Sequence, residues 1–198
     1  GTHSFNGNGE MTGLPWIAEQ GLLGAPICIT NTYSVGLVRD AICAVAVRDG
    51  ATQAFHLPVA AETYDGWLSE SERFPVTTEL AFQALDGATG GPIAEGNTGG
   101  GTGMICHEFK GGTGTASRIV TADGASYTVG CLVQANYGAR ELFRVDGVPV
   151  GRRIGPDIVP SHRTMPREAG SIIVVLATDA PLLPIQCQRL EIGRGPCR

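Results

Sequence analysis

The apolar runs of this chain, and the turn signals between them, constrain its fold more than any other feature. Three such runs lie within residues 101–135, and the pairs Gly111-Gly112 and Asp123-Gly124 separate them. Such pairs are typical of tight turns, and apolar, β-branched runs are typical of strands. A further run of this kind occupies residues 172–177. The pattern therefore predicts a sheet-rich core, with turns at both pairs.

Helical patterns accompany these strands, so the chain suits an α+β layered domain. Segment 27–50 is apolar and β-branched, and it is compatible with two strands or with a strand and a helix. Residues 150–170 contain three prolines and four arginines, and they predict a long loop of the kind that is often functional. The predicted helices are 15–23, closed by Gly24; a helix capped by Thr77 or Thr78 and ended by Gly87; and a helix that Pro184 opens and Gly193 ends.

Composition narrows the class of protein. The chain has 198 residues, enough for one substantial domain, and only 17% of them are charged, against roughly 25% in an average soluble domain. The net charge of -5 and the lack of a basic stripe argue against a nucleic-acid partner. No apolar run is long enough to cross a bilayer, so no membrane segment is expected. The 29 glycines follow no collagen-like repeat, and we expect them at turns and close backbone approaches.

The cysteines predict a reducing compartment. None of the six forms a C-x-x-C pair, and none has the His/Cys spacing of a zinc site. Buried free thiols in the cytoplasm are therefore expected, with a periplasmic location left open because the sequence begins at Gly1. The six are Cys28, Cys43, Cys106, Cys131, Cys187 and Cys197.

Several familiar catalytic signatures are missing from the sequence. It has neither the G-x-S-x-G elbow of α/β-hydrolases nor the G-x-x-x-x-G-K-[ST] phosphate-binding loop. The glycine-rich segment 95–103 lacks the lysine that a phosphate cradle needs. The histidines are scattered, so a Ser-His-Asp triad or a metal site has little support, and no cofactor is expected. The four are His3, His56, His107 and His162.

The pair Gly170-Ser171 offers a different chemistry. Ser171 lies where the long loop meets the run 172–177, and a serine hydroxyl needs a neighbouring base to become a nucleophile. At the N-terminus of a chain the serine's own α-amine can be that base, which requires cleavage of the bond before it. Gly170 suits such a cleavage because glycine tolerates strained backbone geometry. On composition alone, an ordinary turn serine is the more common interpretation.

Six segments of the chain share their sequences and their order with one family. They are NGNGEMTG (6–13), ITNTYSVGLVRDA (29–41), VAAETYDGWL (59–68), GNTGGGTGMICHEFKGGTGTASR (96–118), LVQANYGARELFRVDGVPVG (132–151) and GSIIVVLATDAPLLP (170–184). Together they resemble the self-processing L-aminopeptidase/D-esterase and β-aminopeptidase family. The resemblance implies an αββα sandwich, cut between Gly170 and Ser171. Residues 1–198 would be part of a single domain, with 1–170 from the α subunit and 171–198 from the start of the β subunit.

The resemblance also implies roles for four residues. Ser171 would be the nucleophile and the new N-terminus, with Asn136 and Tyr64 donating hydrogen bonds to the oxyanion. Glu62 would hold the substrate's free amine, and its spacing from Tyr64 would place both side chains on one face of a strand. Neutral donors suit a developing oxyanion, and a carboxylate suits an ammonium. Without the resemblance, Asn136 reads as a turn residue and the other two as parts of a surface hairpin.

The implied function is that of an N-terminal serine aminopeptidase. Its substrates would be small peptides, amides or esters with a free amine on an L-, D- or β-amino acid. Two alternatives remain open: an acyl transferase of the ornithine acetyltransferase type, which shares the fold but uses threonine, and a catalytically silent structural or binding relative. The family's supporting serine and acidic residue would lie beyond Arg198, so this resembles a partial chain. The family assembles as a tetramer of processed pairs, and the same homo-oligomer is expected here.

Overall fold

The computed structural model describes residues 1–4, 7–51, 55–161 and 170–192. Helices and strands occur in mixed order, which confirms the α+β class. The helices are α1 (Leu14–Gln20), α2 (Val35–Arg48), α3 (Thr78–Asp86) and α4 (Pro184–Ile192). The strands are β1 (Ile27–Asn31), β2 (Val59–Thr63), β3 (Ile105–Cys106), β4 (Phe109–Lys110), β5 (Gly112–Ala122), β6 (Ala125–Asn136) and β7 (Ser171–Thr178).

Two packed sheets form the core of the described residues. Strands β1 and β2 pair in parallel, and β5, β6 and β7 form an antiparallel sheet in that order. Val59 and Ala61 of β2 pack against Ile173 of β7. Ala60 points to the opposite face of β2, where it packs against Ile42 of α2, as strand alternation requires. The layers therefore run helix, sheet, sheet, which are three of the four layers of the predicted αββα sandwich.

Several local predictions are confirmed. Thr77 caps α3, since its side-chain oxygen accepts a hydrogen bond from the Leu80 N–H at 3.3 Å, and Gly87 follows the last residue of that helix. Asp123 and Gly124 form the turn between β5 and β6 with φ values of 52° and 79°. Segment 27–50 consists of one strand and one helix, the second of the two alternatives.

The turn predicted at Gly111-Gly112 is wrong. The chain turns instead at His107 and Glu108, where both residues have positive φ values of 51° and 65° and connect β3 to β4 as a two-residue hairpin loop. The glycine pair serves close packing, because a Cβ on Gly112 would lie 1.9 Å from the carbonyl oxygen of Gly96. This glycine belongs to the second expected class, a close backbone approach.

The first helix is also shorter than predicted. It ends at Gln20 rather than at Leu23, because Gly21 adopts a left-handed conformation with φ of 70° and its N–H bonds the Ile17 carbonyl. Gly21 thus takes the capping role that was assigned to Gly24.

The end of the described chain agrees with the predicted order of elements. β7 begins at Ser171 and α4 begins at Pro184, as expected, whereas Gly193 lies outside the described residues. The predicted loop 150–170 contains one short 3-10 turn, Val150–Arg152, among its described residues. Residues 162–169 lie outside them.

Cysteine chemistry in the described part agrees with free thiols. Its five cysteines are unbridged and half-buried, and burial raises the pKa of the Cys28 and Cys106 thiols. Cys197 lies outside this part of the chain. None of the described helices is both long and apolar enough to cross a membrane. No three metal-binding side chains cluster within the same residues.

Candidate active site

The pairing of β6 with β7 brings Ser171 and Asn136 together. They are the first residue of β7 and the last of β6, and they are register partners in the antiparallel ladder. Side chains of directly opposed residues are neighbours on one face of a sheet. The Asn136 Nδ2 accordingly lies 3.2 Å from the Ser171 Oγ. Thirty-five residues separate the two along the chain, so strand register, and not local sequence, creates this contact.

The side-chain amide of Asn136 is held in one orientation. Its Oδ1 accepts a hydrogen bond from the Ile105 N–H at 2.9 Å, and its Nδ2 donates to the Tyr64 carbonyl at 2.8 Å. If the amide were flipped, its NH2 group would face the Ile105 N–H and its oxygen would face the Tyr64 carbonyl. These two partners therefore fix the NH2 group as the end that points at Ser171. The result is a preorganised neutral donor beside a serine hydroxyl, the arrangement that stabilises oxyanions.

Tyr64 joins the site through its backbone carbonyl, and its phenol oxygen lies against Gly66. Strand β2 ends at Thr63, so the predicted strand face shared by Glu62 and Tyr64 does not extend to Tyr64. The phenol folds back over Gly66, where an added Cβ would lie 2.3 Å from the tyrosine oxygen. The predicted role of this hydroxyl as an oxyanion donor stays a prediction.

Glu62 is a buried carboxylate held by protein donors. It is 5% exposed; its Oε1 accepts from the Glu10 N–H at 3.0 Å, and its Oε2 accepts from the Thr32 hydroxyl. Gly9 packs directly over it, because a Cβ added to Gly9 would lie 2.8 Å from the Glu62 Oε1. A carboxylate has about four acceptor positions, so two bonds leave capacity for an ammonium donor.

Gly170 occupies a position where a side chain would force its neighbours to shift. An added Cβ would lie 2.9 Å from the Tyr137 Cβ and 3.0 Å from its Cα. The residue before Ser171 is therefore packed against the residue after Asn136. The Gly170-Ser171 pair thus lies along the end of β6, with the Asn136 amide at its side.

Sequence reasoning missed two sets of buried polar contacts near the ends of β1, β2 and β6. Asn31 at the end of β1 donates to the Asp65 carboxylate at 3.1 Å, and both residues are buried. Gln134, 1% exposed, donates to the Thr63 hydroxyl, which in turn donates to the Met104 sulfur. No local spacing announces these contacts, since each joins distant segments. The only available signal in the sequence was a polar residue within an apolar, strand-like run.

Two of the histidines have side-chain or backbone contacts in separate parts of the described chain. His107 lies in the turn between β3 and β4, with its Nδ1 3.0 Å from the Ala139 carbonyl oxygen and its ring against Tyr137. His56 lies in a loop and accepts a hydrogen bond from Cys43 at its carbonyl. His162 lies outside the described residues.

Comparison with known proteins decides the family. The model of peptidase family S58 matches residues 1–193. The chain belongs to peptidase family S58. It is 50% identical to the β-peptidyl aminopeptidase BapA of Sphingosinicella microcystinivorans, over 96% of this chain and 50% of that protein. It is 44% identical to the BapA of Sphingosinicella xenopeptidilytica, over 94% of this chain and 49% of that protein.

Solved structures agree with this membership. A Burkholderia sp. β-aminopeptidase superimposes with a TM-score of 0.84 at 54% identity, covering 93% of this chain and 50% of that one. The L-aminopeptidase D-Ala-esterase/amidase of Ochrobactrum anthropi, described as a variant of the Ntn hydrolase fold, gives a TM-score of 0.83 at 47% identity, covering 95% and 52%. The fold is therefore that of the Ntn hydrolase aminopeptidases, as the resemblance implied. The chain spans about half the length of the relatives it matches.

Proposed function

We propose that this chain is part of a self-cleaving N-terminal serine aminopeptidase. The observation that carries the proposal is the fixed Asn136 amide 3.2 Å from the Ser171 Oγ, at the residue that follows a sterically restricted glycine. The relatives support the same chemistry by their names, which are β-aminopeptidase and L-aminopeptidase D-Ala-esterase/amidase. The S58 match favours a peptidase over the acetyltransferase alternative.

Self-cleavage would begin with attack of the Ser171 Oγ on the Gly170 carbonyl carbon. The tetrahedral intermediate expels the Ser171 nitrogen, which takes the proton that Oγ loses and becomes a free α-amine. The Gly170 acyl group is then an ester on Oγ. Water hydrolyses that ester, leaving a carboxylate on Gly170 and a hydroxyl on Ser171. The oxyanion is the former Gly170 carbonyl oxygen, which is bonded to the same carbon as Oγ, so a donor placed beside Oγ is within reach of it.

Turnover would repeat this chemistry on a substrate. The Ser171 α-amine accepts the hydroxyl proton, and Oγ attacks the substrate carbonyl with Asn136 donating to the oxyanion. The leaving amine or alcohol takes the proton from the α-ammonium. Water then attacks the acyl ester with the α-amine as general base, which releases the amino acid and restores Ser171.

Substrate choice would depend on Glu62. Its position two residues before Tyr64, whose carbonyl bonds Asn136, puts the carboxylate on the segment that lines the nucleophile. A buried carboxylate is the natural partner of an ammonium. We therefore expect cleavage of N-terminal residues with a free amine, with β-amino acids as the first class to test because two relatives, 50% and 44% identical, are named β-peptidyl aminopeptidases.

A direct test is acylation of the processed, full-length protein by an active ester of a β-amino acid. The expected result is a mass increase of one acyl group on the polypeptide that begins at Ser171, absent in Ser171→Ala. Subsequent cleavage of the p-nitroanilides of alanine and β-homoalanine would rank the substrates. A protein that folds and self-cleaves but takes up no acyl group would instead support the silent structural relative.

Assembly and location complete the proposal. A tetramer of processed pairs is proposed from the family resemblance, and light scattering of the purified protein would measure it. A cytoplasmic location is proposed from the free, half-buried cysteines, which are expected in a reducing compartment. Cell fractionation of the native host would test that expectation.

A further inference from the structure

A buried arginine lies just beyond the end of β6. Arg140 follows Asn136 by four residues and is 6% exposed. Its guanidinium lies over the Phe109 ring, with 4.7 Å between the guanidinium carbon and the ring centroid. Its backbone N–H donates to the Glu108 Oε1 at 3.1 Å, and its Nε lies 3.8 Å from the Glu108 Oε2. Arg140 and Glu108 therefore form one buried, charged unit.

This unit holds the loop that precedes the proposed cleavage site. The Arg140 Nη1 donates to the Val159 carbonyl at 2.6 Å, and Nη2 donates to the Pro160 carbonyl at 3.4 Å. Glu108 accepts a hydrogen bond from the Ser161 hydroxyl at 2.5 Å. Residues 159–161 are thus bound by three polar contacts to the same pair of side chains.

Residues 136–140 also contact the two residues of the proposed cleavage site. Ser171 pairs with Asn136, and Gly170 packs against Tyr137. One stretch of five residues therefore contacts the chain at Val159 and Pro160, through Arg140, and again at 170–171. The two parts of the chain that flank the segment before the scissile bond share a single support.

A buried ion pair is weak evidence for a stabilising role, because an apolar replacement of similar size is often as stable. A guanidinium fork is, however, well suited to fixing several carbonyls at once. We propose that Arg140, held by Glu108, is a positioning residue for self-cleavage: by holding residues 159–161, it limits the positions from which the Gly170 carbonyl can meet the Ser171 Oγ. This inference rests on the proposed function.

The inference separates self-cleavage from turnover. Intramolecular attack depends on holding the reacting atoms in place, and a misplacement of about 1 Å can cost on the order of 100-fold in rate. Once the bond is cut, the loop no longer has to deliver a carbonyl. Loss of the anchor should therefore slow self-cleavage and leave the processed enzyme active, whereas a merely structural defect would lower both rates.

The test compares Arg140→Lys and Ser161→Ala with wild type in the full-length protein. Arg140→Lys keeps the charge but loses the fork, and Ser161→Ala removes one contact at a half-buried site. Self-cleavage is followed by intact mass over time after synthesis, and kcat/KM is measured once cleavage is complete. We expect self-cleavage to slow on the order of 10-fold or more in Arg140→Lys and less in Ser161→Ala. The kcat/KM of both should stay within about twofold of wild type.

Arg144→Lys is the matched control, because Arg144 is exposed and, among the described residues, donates to the nearby Gly147 carbonyl and not to residues 159–161. It should self-cleave at the wild-type rate. Wild-type self-cleavage in both test variants, or an equal loss of self-cleavage and turnover, overturns the inference. If Arg140→Lys does not fold, the rate of Ser161→Ala decides alone. Cleavage of Ser171→Ala at this bond would instead overturn the proposed function, so the two failures are distinguishable.

Discussion

Removal of the Asn136 side chain is the sharpest perturbation of the proposed site. The Asn136→Ala variant loses the donor 3.2 Å from the Ser171 Oγ. Loss of one oxyanion donor usually lowers kcat about 100- to 1,000-fold, or about 3 to 4 kcal/mol of transition-state stabilisation. Because Asn136 contacts Oγ and not the amine anchor, KM should change little. The same donor serves both reactions, so self-cleavage should slow by a similar factor.

The variant should also lose stability. Asn136→Ala leaves the Ile105 N–H and the Tyr64 carbonyl without their side-chain partner. At about 1 kcal/mol for each unsatisfied group in a part-buried position, the free energy of unfolding should fall by about 2 kcal/mol. Urea unfolding measures that loss, and kinetics are then compared well below the unfolding midpoint.

The assay uses protein incubated until self-cleavage is complete, with an amino acid p-nitroanilide as substrate. Ser126→Ala is the control, because Ser126 lies on the same strand and its exposed hydroxyl lies 3.2 Å from the Thr121 hydroxyl. An unchanged kcat in Asn136→Ala would refute the oxyanion role and make Asn136 a structural residue at a strand end. A rise in KM with unchanged kcat would assign it to substrate binding alone.

Three further predictions follow from individual contacts. Glu62→Gln should lower kcat/KM about 10- to 150-fold for a substrate with a free amine, since a hydrogen bond to a charged partner contributes roughly 1.5 to 3 kcal/mol; a p-nitroanilide and its N-acetyl derivative measure this. Gly170→Ala should slow self-cleavage on the order of 10- to 100-fold, because its Cβ would press on Tyr137; intact mass over time measures this. Thr77→Ala should lower the free energy of unfolding by about 1 kcal/mol through loss of the α3 cap, as urea unfolding would show.

Each of these has a control and a contrary outcome. Equal wild-type activity on the free and N-acetylated substrates would remove Glu62 as amine anchor and the aminopeptidase assignment with it. Gly90→Ala is the control for Gly170→Ala, because nothing lies within 4 Å of a Cβ there, and equal self-cleavage rates in the two would make the Tyr137 contact irrelevant. An unfolding free energy unchanged in Thr77→Ala would show that the cap does not stabilise α3.

Local rules predicted the elements whose ends are set by local chemistry. Thr77 caps a helix because its oxygen meets an N–H three residues on, and Asp123-Gly124 turns because both residues accept positive φ. Gly111-Gly112 misled the same reasoning, since its need for glycine comes from Gly96, a distant segment of chain. A glycine pair in a sequence shows that side chains are absent, but it does not distinguish a turn from a close contact with another segment.

The site residues likewise fall into those that local sequence could identify and those that it could not. Ser171 could be singled out from its junction, but Asn136 and Glu62 read as ordinary turn and hairpin residues until the family resemblance gave them roles. The contact of Asn136 with Ser171 follows from strand register, and β2, which carries Glu62, packs on β7. No single segment encodes either arrangement. Arg140 is the extreme case, because its partners lie on two other segments and only the folded chain shows that it bonds the carbonyls of Val159 and Pro160.

The central claim is that Ser171 cuts its own chain and then acts from the new N-terminus. Intact mass and N-terminal sequencing of the purified full-length protein, wild type beside Ser171→Ala, test it most directly. We predict two polypeptides in the wild type, one of which begins SIIVVLATD, and a single uncut chain in the variant. An uncut wild type, a cut at another bond, or a variant that still splits between Gly170 and Ser171 would contradict the account.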